Sequence, residues 1–178
     1  MKSTSILLLF LLASWLPAQN PPSAAPAFET RTSVGQPMPA FTVADTAGRA
    51  IDIQALRGSV VVLNFWATWC GPCRAELPRL EHEVWQKYKA DGLVVIGISR
   101  GEKEPLITKF AGEIGLTFRL AADPERQIYD RFAGSGIPRT YVVDRNGKIV
   151  FQTVGYEKSH FDEIKPIIER ELSRLQKR

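Results

Sequence analysis

Cys70 and Cys73 are the only cysteines in this 178-residue chain, and two residues separate them. They follow the run Val60-Val61-Val62-Leu63-Asn64-Phe65-Trp66, whose β-branched and aromatic residues read as a buried strand. Beyond them Cys73, Leu77, Leu80 and Val84 recur at helical spacing, which predicts a helix over Pro72–Lys89 with one apolar stripe. The pair therefore sits where a strand turns into a helix. A helix start carries unpaired N–H groups and partial positive charge, and both favour thiolate over thiol. Cys70 is expected to be the exposed, acidified nucleophile, and Cys73, one turn in, can close a short disulfide behind it. Pro72 suits a first turn, where no N–H is required, and restricts the loop.

Two other readings compete. A Cys-x-x-Cys can be half of a zinc site, but zinc usually takes four ligands and only His82 and His160 offer further nitrogens. His82 is expected on the polar side of the helix, away from the cysteines. An inert disulfide is the second, although it would not need a Trp-Cys-Gly-Pro-Cys setting after a strand. Redox chemistry without metal or cofactor is the reading adopted.

Phe65-Trp66-Ala67-Thr68-Trp69-Cys70-Gly71-Pro72-Cys73 resembles the thioredoxin active-site signature. From about Val34 to the C-terminus the chain is similar to the exported or membrane-associated branch, the TlpA/ResA-type thiol–disulfide oxidoreductases. Gly35-Gln36-Pro37-Met38-Pro39-Ala40-Phe41, Leu56-Arg57-Gly58 and Arg74-Ala75-Glu76-Leu77-Pro78 carry that likeness. It implies an α/β thioredoxin-like fold: a central mixed sheet flanked by helices, an extra N-terminal β-hairpin and a central αβ insertion. It also implies a redox-active Cys70–Cys73 disulfide, with substrate contacts at Trp69, Gly71, Pro72, Ile137 and Pro138. The implied partners are protein dithiols or disulfides and a membrane thiol electron donor, with the chain a monomer.

The N-terminus reads as an export signal: Lys2, then the apolar core Ile6–Leu12, with Ala18 as the last residue before cleavage. Leu16 is large for such a site, so an uncleaved anchor over residues 6–16 is the alternative, although this core falls short of the ~20 residues of a comfortable span. No cysteine follows the core, which excludes a lipoprotein anchor on a mature N-terminal cysteine. Residues 19–33 are rich in Pro, Ala and Ser and read as a tether, leaving 34–178 as one domain. Export to a periplasm or cell envelope is where two cysteines at catalytic spacing mean a catalyst. The net charge of +4 is scattered among acids, without a basic stripe interleaved with aromatics, which argues against nucleic acid. Membrane contact is expected only if the N-terminal segment stays uncleaved.

Phe41–Ala44 and Ala50–Ile53 flank a Gly-containing turn and predict a hairpin. Val60–Trp66, the Pro72–Lys89 helix and Leu93–Ile98 form a parallel βαβ unit, with a kink expected at Pro78. A second helix spans Glu104–Ile114, a short strand Thr117–Leu120, and a further helix Glu125–Arg131 with Asp123 as N-cap. Thr140–Asp144 and Lys148–Gln152 surround Arg145-Asn146-Gly147, a hairpin signal, and a last helix starts near Ser159.

On its own, Pro138 reads as a proline that starts a strand. The resemblance implies instead a cis Ile137–Pro138 bond facing the cysteines, with Ile137 backbone groups free to pair with an extended substrate. Thioredoxin resemblance would also place an aspartate at position 64 as proton acceptor. Asn64 stands there, and an amide cannot take that proton. Glu76, one turn after Cys73, is the remaining candidate base, its alternative being an ordinary rim carboxylate. Gly71-Pro72, the dipeptide of reducing thioredoxins, points to a reductant, and cytochrome c maturation is the task the family most commonly implies. A disulfide-introducing oxidant or isomerase would share every one of these residues. A peroxiredoxin would not: Trp66 stands where its loop has proline, and Cys70 falls one residue out of phase with the threonine. A redox-inactive binding module would have no use for the intact cysteine pair.

Overall fold

The computed structural model describes residues 28–174. Five strands form one mixed sheet in the order β5-β4-β3-β6-β7: β3 (Val60–Trp66), β4 (Leu93–Arg100), β5 (Arg119–Asp123), β6 (Arg139–Val143) and β7 (Ile149–Val154). β3 pairs parallel with β4 and antiparallel with β6, and every residue of β3 is buried, as its unbroken apolar run requires. A separate two-stranded hairpin, β1 (Thr42–Ala44) with β2 (Ala50–Asp52), is the expected N-terminal addition.

Side chains alternate along β3, so the core has two layers. Val60, Val62 and Trp66 face Cys73, Leu77, Leu80 and Val84 together with Ile107, Phe110, Phe161, Ile164 and Ile168. These come from α1 (Gly71–Arg79) and its continuation, α3 (Glu104–Ile114) and α4 (Lys158–Ser173). Val61, Leu63 and Phe65 face the other way, onto Met38, Phe41, Ile51, Tyr129 and Phe132. Neither sheet edge is left open. Thr46 N–H donates to the Leu120 carbonyl at 2.8 Å on the β5 side, and residues 35–37 pair with 147–149 on the β7 side.

The helix after the cysteines is not uniform. Pro78 cannot donate to the Arg74 carbonyl, and beyond α1 the ladder continues as a π-helical segment, Leu80–Trp85, then one α-turn, α2 (Gln86–Tyr88). The widened register lets buried Glu81 accept from Thr117 N–H at 2.8 Å, tying the helix to the loop before β5.

Two expectations are corrected. The third strand of the parallel set runs Arg119–Asp123, and Thr117 lies in the loop before it. The helix read over Glu125–Arg131 is a single 3-10 turn, Tyr129–Arg131, because Arg126 adopts φ 61°, a left-handed value that no helix tolerates. Asp123 does cap N–H groups, but those of Ile128 and Tyr129, at 3.1 and 2.8 Å. The Asn146-Gly147 hairpin forms as read, with Gly147 at φ 79°.

Gly97 on β4 lies opposite Asn64 and Leu120. A Cβ there would stand 2.8 Å from Leu120 Cδ2, 3.0 Å from Phe118 Cε2 and 3.1 Å from Trp66 Nε1. Gly97→Ala should therefore lower unfolding stability by about 1–3 kcal/mol in urea titration, the usual cost of overpacking. Wild-type stability in the variant would mean that these three side chains yield freely.

Candidate active site

Trp66 ends β3, and Ala67-Thr68-Trp69 carries the chain over to α1. Buried Glu102 fixes that crossing: its carboxylate accepts from Thr68 N–H at 2.9 Å and from the hydroxyls of Thr68 and Ser99. Cys70 is the N-cap of α1, and Cys73 N–H donates to Cys70 Sγ at 3.2 Å. An unpaired donor at a helix start thus points at the sulfur, the arrangement that stabilises a thiolate. Cys70 and Cys73 are joined as a disulfide.

Ile137–Pro138 is a cis bond, and the Ile137 carbonyl oxygen lies 3.7 Å from Cys70 Sγ. Trp69 projects at 64 % exposure, and Gly71 and Pro72 are exposed beside it. The structure therefore brings Trp69, Cys70, Gly71, Pro72, Ile137 and Pro138 to one end of the sheet. One expectation needs amending. Cys70 retains only 5 % exposure, because the disulfide and the Ile137 carbonyl cover its sulfur, and it is the more accessible of the pair only because Cys73 has none.

Glu76 is no rim residue: it is 2 % exposed. Its Oε1 accepts from Thr140 Oγ1 at 2.8 Å and its Oε2 from Asn64 Nδ2 at 2.9 Å, while the same Nδ2 donates to Thr140 Oγ1 at 2.8 Å. Burial pushes the Glu76 carboxyl up to about 7, and the bonds from Thr140 and Asn64 hold it back from rising further. Asn64 Oδ1 is buried without a partner among the described residues. An amide flip would present that oxygen to a protonated Glu76, so the three side chains can hold the carboxyl in either state.

Thr140, Arg139 and Glu102 were not singled out from sequence. Alternation from Pro138 would have put Thr140 on the face of Pro138, and a polar Asn64 inside an apolar strand was itself a sign that something polar lay opposite. Glu102, in the loop after β4, and Arg139, one residue past Pro138, carry no such signal. Among the described residues no group of three or more His, Cys, Asp or Glu side chains is placed to hold a metal ion, and His82 is exposed on the π-helical segment.

The comparisons with known proteins agree on one family. The model described as the AhpC/TSA family matches residues 34–152. Thiol-disulfide oxidoreductase ResA of Geobacillus thermodenitrificans is 35% identical over 143 residues, covering 78% of this chain and 82% of that protein. Its namesake in Bacillus subtilis is 32% identical over 152 residues, covering 85% and 83%. Among solved structures, a candidate protein disulfide isomerase from Bacteroides thetaiotaomicron superposes with TM-score 0.79 at 35% identity, covering 83% of this chain and 94% of that one.

The raised Glu76 carboxyl has a consequence for stability. Between about 4.5 and about 7 the folded protein holds a proton that the unfolded chain releases, so stability falls as pH rises through that window and levels off above it. Its size is on the order of 3 kcal/mol. Urea denaturation of the oxidised protein at several pH values should show this slope in wild type and a flatter one in Glu76→Gln. Parallel curves would show that Glu76 titrates like an exposed carboxylate.

Proposed function

The chain belongs to the AhpC/TSA family and is a thioredoxin-like thiol–disulfide oxidoreductase, and we propose that it works as a reductant of protein disulfides in the cell envelope. The observation that carries the reading is Cys70 Sγ at the helix start, with Cys73 N–H on it and the Ile137 carbonyl 3.7 Å away. A sulfur so placed ionises readily and adjoins backbone on which an extended substrate segment can lie.

The reaction begins with both cysteines reduced. Cys70 thiolate attacks one sulfur of the substrate disulfide, that S–S bond breaks, and the departing substrate sulfur takes up a proton. The resulting mixed disulfide is resolved by Cys73. Its thiol, fully buried among apolar side chains, resists ionising, and the carboxylate one turn along the same helix is the base that accepts its proton. Cys73 sulfur then attacks Cys70, the mixed disulfide breaks, and the second substrate sulfur leaves as thiolate. Two electrons have passed from protein dithiol to substrate. A thiol electron donor at the membrane returns the pair to the reduced state.

Support for the reducing direction is the Gly71-Pro72 dipeptide. Support for the envelope is Lys2 and the run Ile6–Leu12, which lie outside the described residues. The likeness to TlpA/ResA-type proteins, whose most commonly implied task is cytochrome c maturation, makes that the first pathway to try. Intact-mass measurement of envelope-fraction protein tests the N-terminus: cleavage after Ala18 is expected, and a species retaining Met1 or Lys2 would indicate an anchor. Trapping on a Cys73→Ser variant identifies the substrate.

Equilibration with defined thiol couples should give a Cys70–Cys73 potential near or below the roughly −270 mV of thioredoxin. A value near −180 mV or above would make the protein an isomerase or oxidant instead.

Glu76→Gln keeps the size of the side chain but replaces one accepting oxygen with an amide nitrogen that takes up no proton. It should slow resolution of the mixed disulfide near pH 7 by roughly 100-fold, the lower end of the range for loss of one general base. The deficit should shrink toward pH 9, where hydroxide deprotonates Cys73 directly. Superimposable stopped-flow profiles from pH 6 to 9 would leave Cys73 without that base.

A further inference from the structure

We propose that Arg139 and the N-terminal strap Phe28–Arg31 form one positioning unit that fixes the loop Ser135–Pro138 against Cys70 for protein substrates. The inference rests on the reading of the Cys70–Ile137 cleft as the reaction site.

Arg139 is a buried cation, 2 % exposed, immediately after Pro138. Its hydrogen bonds among the described residues all end on neutral oxygens. Nε donates to the carbonyls of Ser135 and Gly136 at 3.1 and 3.0 Å, and Nη2 to those of Ser135 and Glu29 at 2.6 and 3.0 Å. Nη1 donates to Thr30 Oγ1 at 2.9 Å. A buried guanidinium without a counter-charge is costly, and an apolar side chain would fill the same space without that cost. What a guanidinium alone supplies is a planar fork that grips two backbone segments at once. Here one segment is the loop that carries Ile137, and the other is the strap.

The strap is seated on that loop along its length. Glu29 N–H donates to Ser135 Oγ at 3.0 Å, and Gly134 N–H donates to the Glu29 carbonyl at 3.1 Å. Thr30 bridges Ala133 antiparallel, and Arg31 N–H donates to the Phe132 carbonyl at 2.9 Å. The Phe28 ring lies against Gly136, where a Cβ would fall 2.6 Å from Phe28 Cδ1. Gly136, at φ 85°, also accepts from Tyr129 hydroxyl at 2.8 Å through its carbonyl. The last residues of the stretch read as a tether, 19–33, are thus built into the domain. Strap, guanidinium and Tyr129 grip residues 132–136, and the next carbonyl along the chain is the one beside Cys70 Sγ.

The consequence separates binding from chemistry. A protein segment that pairs with Ile137 backbone needs that backbone held in place before it arrives, since ordering it afterwards subtracts from affinity. The reactivity of the sulfurs comes from α1 and Glu76, which the strap does not touch. Loss of the unit should weaken protein substrates and spare a small disulfide.

The test uses the full chain with Arg139→Met, with the strap pair Glu29→Pro/Arg31→Pro, and with all three changes together. The prolines remove the two N–H donors of the strap and touch neither cysteine nor Glu76. Insulin and bis(2-hydroxyethyl) disulfide are the probes, with near-ultraviolet circular dichroism as the check on folding. Each variant should raise KM for insulin roughly fivefold to tenfold, the loss expected for one or two hydrogen bonds, with kcat and the rate on the small disulfide within about twofold. The combined variant should be no worse than the poorer single one, because the two act as one unit. Equal losses on both disulfides, no loss on insulin, or additive losses would overturn the proposal. If Arg139→Met does not fold, the strap pair alone decides. A wild type inert toward both disulfides would instead remove the oxidoreductase reading on which this one stands.

Discussion

A carboxyl group buried with only neutral donors is the constraint around which much of this fold is arranged. Glu76 lies within the layer formed by β3, β6 and α1, and its two partners come from the two strands. Asn64 and Thr140 are opposite one another in the antiparallel β3–β6 register, so a single carboxylate can reach both. That geometry demands a polar residue in the middle of an otherwise apolar strand and a helix that starts directly above it. It also sets the register: a one-residue slip of β6 would send Thr140 to the opposite face and leave Asn64 facing the carboxyl alone.

The two cysteines then differ by environment rather than by type. Cys70 caps the helix and has a backbone N–H aimed at its sulfur, so charge is welcome there. Cys73 lies in the apolar layer that also holds Leu77, Val62 and Trp66, where charge is not. A pair in which one thiol ionises early and the other late suits a two-step exchange, provided a base is near the second when it is needed. Glu76, held near neutrality by burial, has the proton affinity such a base requires.

Much of this could be read from the chain. The strand, the cysteine pair at a helix start, the Asn146-Gly147 hairpin and the N-terminal hairpin each have a local signal, because period, turn chemistry and capping are local matters. The failures are equally physical. Asp123-Pro124 looks like a helix start, but a strand pairing with β4 extends to Asp123, and Arg126 then turns left-handed. Residues 28–33 look like spacer because their composition is polar and prolines precede them; what holds them is backbone pairing and the reach of a side chain more than 100 residues away, as the 110-residue separation of Glu29 and Arg139 shows. The depth of Glu76 was half legible. Its spacing from Cys73 placed it at the edge of the stripe, yet only the position of β6 decides that the edge is covered.

Strand β6 is where these requirements meet. Pro138 stands at its entrance with the Ile137 carbonyl at Cys70, Arg139 faces the layer of Phe65, Tyr129 and Phe132, and Thr140 faces the layer of Glu76. Because side chains alternate, neighbouring residues can serve both faces without competing for space. The backbone beside Cys70 is thereby fixed from one side of the sheet and the Glu76 carboxyl from the other, through a strand paired on both edges by β3 and β7. A central strand is among the last parts of a domain to open locally, so both attachments inherit its rigidity. The sulfurs can exchange partners while the Ile137 backbone proposed to present the substrate and the Glu76 carboxylate proposed to take the proton keep a common frame.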